Sequence, residues 1–157
     1  MRKIVTLILL TLSVFGTGFA EEDNFKVKKS EAEWRKELTP EQYQVLRGQG
    51  TERPFTSQCL HIKENGEYHC AGCDNLLFTS GAKFKSGTGW PSFFEPRKGS
   101  VITRTDTSHG MTRKEVLCAD CGGHLGHVFP DGPTETGQRY CINRLSIKLD
   151  AEEAPSG

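Results

Sequence analysis

The 157-residue chain has no excess charge of either sign: 20 lysines and arginines face 20 aspartates and glutamates. That balance excludes the basic footprint of a nucleic-acid-binding protein and offers an anionic membrane nothing to attract. Long apolar runs are missing too. The longest, residues 4–15, is twelve residues and interrupted by hydroxyls, well short of the ~20 that a membrane span requires. No internal repeat is present apart from a doubled Cys-x-x-Cys. Hydrophobic residues make up only 35% while glycine occurs 17 times. That composition suits one turn-rich, mainly β domain, of a size that gains from a metal staple.

The short apolar run reads as a leader. Arg2 and Lys3 form a positive n-region, and Gly18 and Ala20 supply the small residues of a cleavage site. The expectation is a signal peptide over residues 1–20, cleaved after Ala20, with an uncleaved anchor as the alternative. The residue immediately after the cleavage point is Glu21 and not a cysteine, which disfavours a lipoprotein. The mature chain loses two basic residues, leaving 18 against 20 acidic ones and a net charge of −2. Its expected location is periplasmic or secreted, without stable membrane association. Six cysteines in an oxidising compartment leave three disulfides and no enzyme as the plain alternative.

Their spacing argues otherwise. Cys70-Ala-Gly-Cys73 and Cys118-Ala-Asp-Cys121 are two C-x-x-C pairs with 44 residues between them. Four thiolates on two tight turns suit one tetrahedral, structural Zn²⁺, with Cys70, Cys73, Cys118 and Cys121 as ligands. Gly72 and Gly122-Gly123 let the backbone bend at the turns. A thioredoxin-type dithiol is the alternative for either pair. Cys59 and Cys141 remain as spare thiols.

Residues 21–29 read as a charged linker, 30–150 as the domain, and 151–157 as a disordered tail. Ser30 and Glu33 form a capping box that opens one short helix with Trp34 and Leu38 on one face. Thr39 and Pro40 open a second, stopped near Gly48. Strands are expected at 67–71, 75–79, 101–107, 111–118, 123–129, 139–143 and 146–149, with a hairpin turn at Ser108-His-Gly110.

Arg139-Tyr-Cys-Ile-Asn143 is the best reactive segment, because a guanidinium two residues from Cys141 favours its thiolate. A buried structural cysteine is the plain alternative. Ser86-Gly-Thr-Gly-Trp-Pro-Ser-Phe93 is a glycine-rich turn presenting Trp90. His124 and His127 offer imidazoles beside the second C-x-x-C, although His124 also suits a core position.

In their order, these four motifs resemble the methionine-R-sulfoxide reductases, the B-type family, from about Trp34 to Leu149. The resemblance implies two antiparallel β-sheets with short N-terminal helices, stapled by a four-cysteine zinc site remote from the active site. It implies Cys141 as nucleophile, supported by Arg139, with Trp90, His124, His127, Phe129 and Asn143 around the substrate. Expected substrates are oxidised proteins or peptides containing methionine R-sulfoxide, and the expected assembly is a monomer. Thr88 stands where many members carry the resolving cysteine. Cys59 is then the remaining candidate to resolve a Cys141 sulfenic acid, for recycling by a thioredoxin-like dithiol. Asn75-Leu-Leu-Phe78 lacks the proline often found before that Leu-Phe pair, and Arg144-Leu145 replaces small residues. A zinc-stapled β binding module without catalysis is the reading from another class.

Overall fold

The computed structural model describes residues 24–56 and 65–151. The leader, the tail beyond Ala151 and Cys59 lie outside the described residues. Helix α1 spans Glu31–Glu37 and α2 spans Pro40–Leu46, each opened by a complete capping box, Ser30 with Glu33 and Thr39 with Gln42. A reciprocal cap satisfies two orphan donors at once, which lets helices of only seven residues form at expected positions. No helix among the described residues is long and apolar enough to cross a membrane.

Nine strands follow among the described residues: β1 Gly66–Cys70, β2 Leu76–Thr79, β3 Lys83–Phe84, β4 Ser92–Phe93, β5 Val101–Asp106, β6 Arg113–Cys118, β7 His124–Phe129, β8 Arg139–Ile142 and β9 Ile147–Ala151. They form two antiparallel sheets, one ordered β2-β1-β9 and the other β3-β4-β8-β7-β6-β5. Sequence patterning places seven of these strands. It misses β3 and β4, each too short to show a periodicity. Ser108–Gly110 joins β5 to β6 as a 3-10 turn with His109 at φ 55°.

The core lies between the sheets. Phe78 stacks on Phe93 at 4.3 Å between ring centroids, and Tyr68 meets Phe93 edge-on at 5.0 Å. Leu77, Val116, Leu125, Ile142 and Ile147 close around them, all fully buried. Along β8 the buried Ile142 faces this core, so the pleat turns its neighbours Cys141 and Asn143 to the opposite face of the large sheet.

The helices pack against the two C-x-x-C turns. Trp34 and Leu46 pack against Gly72, where a Cβ would already lie 3.4 Å from the Trp34 ring. Arg47 reaches the Cys121 carbonyl at 3.2 Å. Residues 24–29, read from their charge as linker, dock here as well. Val27 donates its N–H to the Asp120 carbonyl at 2.8 Å, and Lys26 pairs with the Asp120 carboxylate at 2.7 Å.

Candidate active site and metal centre

Both C-x-x-C segments adopt one backbone design. In each, the residue after the second cysteine returns its N–H to the carbonyl of the first: Asp74 to Cys70 and Gly122 to Cys118, both at 2.9 Å. That residue is left-handed in both turns, with φ 67° at Asp74 and 70° at Gly122. Gly122 adopts it without a steric penalty, and aspartate tolerates it better than most residues. The four sulfurs all lie within 4.8 Å of one another. Cys70 and Cys121 approach to 3.8 Å and Cys73 and Cys118 to 3.5 Å. Those separations are far from a disulfide, and all five described cysteines are free thiols. They match the edge of a tetrahedron, about 3.8 Å for metal–sulfur bonds near 2.3 Å.

The donor chemistry fits a metal. Cys70 and Cys118 are fully buried and Cys121 nearly so. Hydrogen bonds converging from Cys121, Cys70 and Cys73 hold the Cys118 thiol far below its ordinary value, which favours a thiolate in the cluster. Asn75 adds an amide donor 3.5 Å from the Cys118 sulfur and bonds the Ser100 carbonyl with the same group. Because Cys70 ends β1 and Cys118 ends β6, a bound metal would rivet the two sheets together.

The second site occupies the outer face of the large sheet. Cys141 on β8 is directly opposite Ser92 on β4 and His127 on β7, and His127 is opposite Glu115 on β6. Residues directly opposite in antiparallel strands project to the same face, so these side chains form one row. Period-2 alternation adds Arg139 and Asn143 from β8 and its end, and Phe129 from β7. Cys141, Trp90, His127, Phe129, Asn143, Thr51, Arg113 and Gly126 line a cavity of about 110 Å³. Trp90 reaches it from the glycine-rich turn. There the Ser86 hydroxyl meets those of Thr88 at 2.8 Å and Ser92 at 2.7 Å, tying the two ends of the turn together.

Electrostatics set a protonated resting state. Burial pushes the Cys141 thiol up, and the Arg139 charge and a hydrogen bond with Thr88 only partly offset it. Arg139 is itself neutralised by a two-pronged pair with Asp131, at 2.8 and 3.0 Å, and lies over the Phe129 ring at 4.6 Å. Burial also pushes His127 below its ordinary value. Its Nε2 bonds the Asp106 carboxylate at 2.8 Å, and Arg113 holds the same oxygen at 2.7 Å. Hydrogen bonds from Ser108 and then His127 keep Asp106 well below the usual carboxylate range. An ionised Asp106 fixes the neutral ring's proton on Nε2 and leaves Nδ1 free.

His124 does not line the Cys141 cavity. It is 2% exposed, and its Nδ1 meets Glu115 at 2.7 Å. Burial works to raise Glu115, but hydrogen bonds from His124 and Gln49 prevail and hold it below its usual value. Sequence patterning does not single out Asp106, Arg113, Glu115 or Asp131. The first two carried a signal: a hairpin centred on Ser108-His-Gly110 pairs Asp106 with Arg113 directly.

Residues 38–151 match the SelR domain. The chain belongs to the SelR domain family. Curated relatives of the chain are named peptide methionine sulfoxide reductase MsrB. The one from Agrobacterium fabrum is 61% identical over 126 residues, covering 80% of this chain and 93% of the relative. That from Leptospira interrogans is 54% identical over 130 residues, covering 82% and 99%. The relative from Methanosarcina barkeri is 56% identical over 128 residues, covering 81% and 90%. The expected two-sheet architecture and the expected family therefore agree with what the chain is.

Proposed function

We propose that this SelR protein reduces methionine R-sulfoxide in oxidised proteins and peptides, with Cys141 as nucleophile. The observation that carries the reading is a half-buried free thiol lining a cavity together with an indole, an imidazole and a carboxamide. The indole of Trp90 and the ring of Phe129 give the methyl group of the substrate an apolar wall, and the polar side receives the S=O. A wall on one side only selects between the two epimers at sulfur.

The chemistry follows from the resting protonation. Cys141 gives its proton to Nδ1 of His127 as its sulfur attacks the sulfoxide sulfur, and the imidazolium passes that proton to the sulfoxide oxygen. The resulting hydroxyl moves to the Cys141 sulfur as the substrate's S–O bond and the new sulfur–sulfur bond break. The sum is one thiol and one sulfoxide converted into one sulfenic acid and one thioether, with no other reactant. Arg139 and Thr88 stabilise the thiolate as it forms, and Asn143 orients the substrate by hydrogen bonding.

The Cys59 thiol then attacks the Cys141 sulfenic acid, forming a disulfide and releasing water. A thioredoxin-like dithiol returns both cysteines to thiols and leaves as a disulfide. Cys59 follows Thr56 by three residues in the chain and lies outside the described residues.

Cys70, Cys73, Cys118 and Cys121 hold one Zn²⁺ in this reading, and its contribution is to stability alone. The leader of residues 1–20 exports the chain as a monomer to the periplasm or beyond, where the reductant must also reside. The test is reduction of separately prepared R and S sulfoxides, as peptides and as the free amino acid. Loss of the R-epimer reaction in Cys141→Ser is the expected result. Unchanged single-turnover reduction by that variant would refute the assignment.

A further inference from the structure

Thr51 lines the Cys141 cavity, and its neighbour Glu52 touches two of the cavity's walls at once. The Glu52 backbone N–H donates to the Asn143 Oδ1 at 3.1 Å. The Glu52 carbonyl accepts the Trp90 indole Nε1–H, also at 3.1 Å. The peptide groups of a single residue thus hold the indole and the carboxamide, which come from strands and turns far apart in sequence.

The Glu52 side chain explains why its backbone can do this. Its carboxylate accepts the backbone N–H of Arg144 at 2.5 Å and that of Leu145 at 3.2 Å, immediately after Asn143. Burial raises this carboxyl against the opposing effect of those two donors. The other end of the strap is fastened separately by the Phe55 N–H on the Gly89 carbonyl. Asn143 is clamped from its far side, where Nδ2 donates to the Leu125 carbonyl at 3.1 Å.

We infer that Glu52 is a positioning residue for the proposed reduction: its carboxylate anchors a backbone strap that fixes Trp90 and Asn143 relative to Cys141. This rests on the proposed function for its kinetic consequence, while the anchoring itself does not. The carboxylate does not touch substrate. It sets the geometry of two groups that do, and reaction rates fall steeply when such groups drift by an ångström.

The test compares Glu52→Gln, Glu52→Ala and a destabilised control, Thr39→Ala. The control loses the α2 cap and touches no residue of the cavity. Gln retains one acceptor oxygen, so the expected order of kcat is Glu, then Gln, then Ala. The alanine variant should fall on the order of 10²-fold, more in kcat than in KM, while the control keeps its kcat. The second readout needs no activity. The chain has two tryptophans, hence two indole N–H signals, and the Trp90 signal should shift and exchange faster in both Glu52 variants. If the wild type reduces neither epimer, the functional reading falls and the indole signal alone decides the anchoring. The inference is overturned if the Glu52 variants match Thr39→Ala in kcat, or if the Trp90 indole proton is unperturbed.

Discussion

Gly126→Ala is a direct test of how closely β7 and β8 must approach for the site to work. A Cβ built on Gly126 would lie 2.0 Å from the Cys141 carbonyl oxygen and 3.0 Å from its carbonyl carbon. Both atoms are backbone, so no rotamer change relieves the contact. Restoring an ordinary carbon–oxygen separation requires the two strands to part by more than about 1 Å, an overpacking strain of roughly 1–3 kcal/mol. The residue after Gly126 is His127, and the oxygen being pushed belongs to Cys141, so the displacement falls on the cross-strand pair itself. A misplacement of that size costs on the order of 10²-fold in rate. The expected variant is folded, melts several degrees lower and has lost most of its kcat. Gly81→Ala is the matched control, since its added Cβ meets nothing closer than the Thr79 hydroxyl at 3.8 Å. The measurements are single-turnover reduction of a peptide R-sulfoxide and a thermal melt. A Gly126→Ala protein with wild-type kcat and melting temperature would refute the requirement for close β7–β8 contact.

Other expectations follow from the same geometry. Stripping the metal, or replacing Cys118 by Ser, should lower metal content and melting temperature together. Metal binding of roughly 10–16 kcal/mol rivals the whole stability of a domain. A metal-free protein that melts like the wild type would contradict this. Because burial raises the Cys141 thiol, its thiolate fraction at neutral pH is smaller than that of an ordinary cysteine. Its alkylation by iodoacetamide should therefore accelerate with pH and level off only above the ordinary thiol value. Arg139→Met removes a lowering influence, so the profile should move further up; a downward move would contradict the role of Arg139. In Cys59→Ser the first turnover should survive and thioredoxin-coupled cycling fail, with no Cys59–Cys141 disulfide by mass spectrometry. Unchanged cycling would make Cys141 a single-cysteine catalyst.

Much of this protein is written in short-range patterns. The capping boxes at Ser30 and Thr39 depend on side chains three residues apart, so sequence alone places both helix starts. Arg139, Cys141 and Asn143 alternate, and a strand's pleat sends all three to one face whatever surrounds it. The paired C-x-x-C segments supply the right thiols on turns of the right size. Tertiary structure decided the rest, because the partners are distant or the period is broken. His124 and His127 are three apart, which a regular strand would send to opposite faces. A bulge pairs Leu117 with His124 and Val116 with Gly126, leaving Leu125 as the extra residue and returning His124 to the site face. No local pattern shows that Asp74 takes the left-handed place that Gly122 fills in the other turn. The meeting of Glu52 with Asn143, 91 residues away, is equally invisible locally. Local chemistry determined which groups the protein carries; strand register, one bulge and a strap across the sheet determined which of them meet.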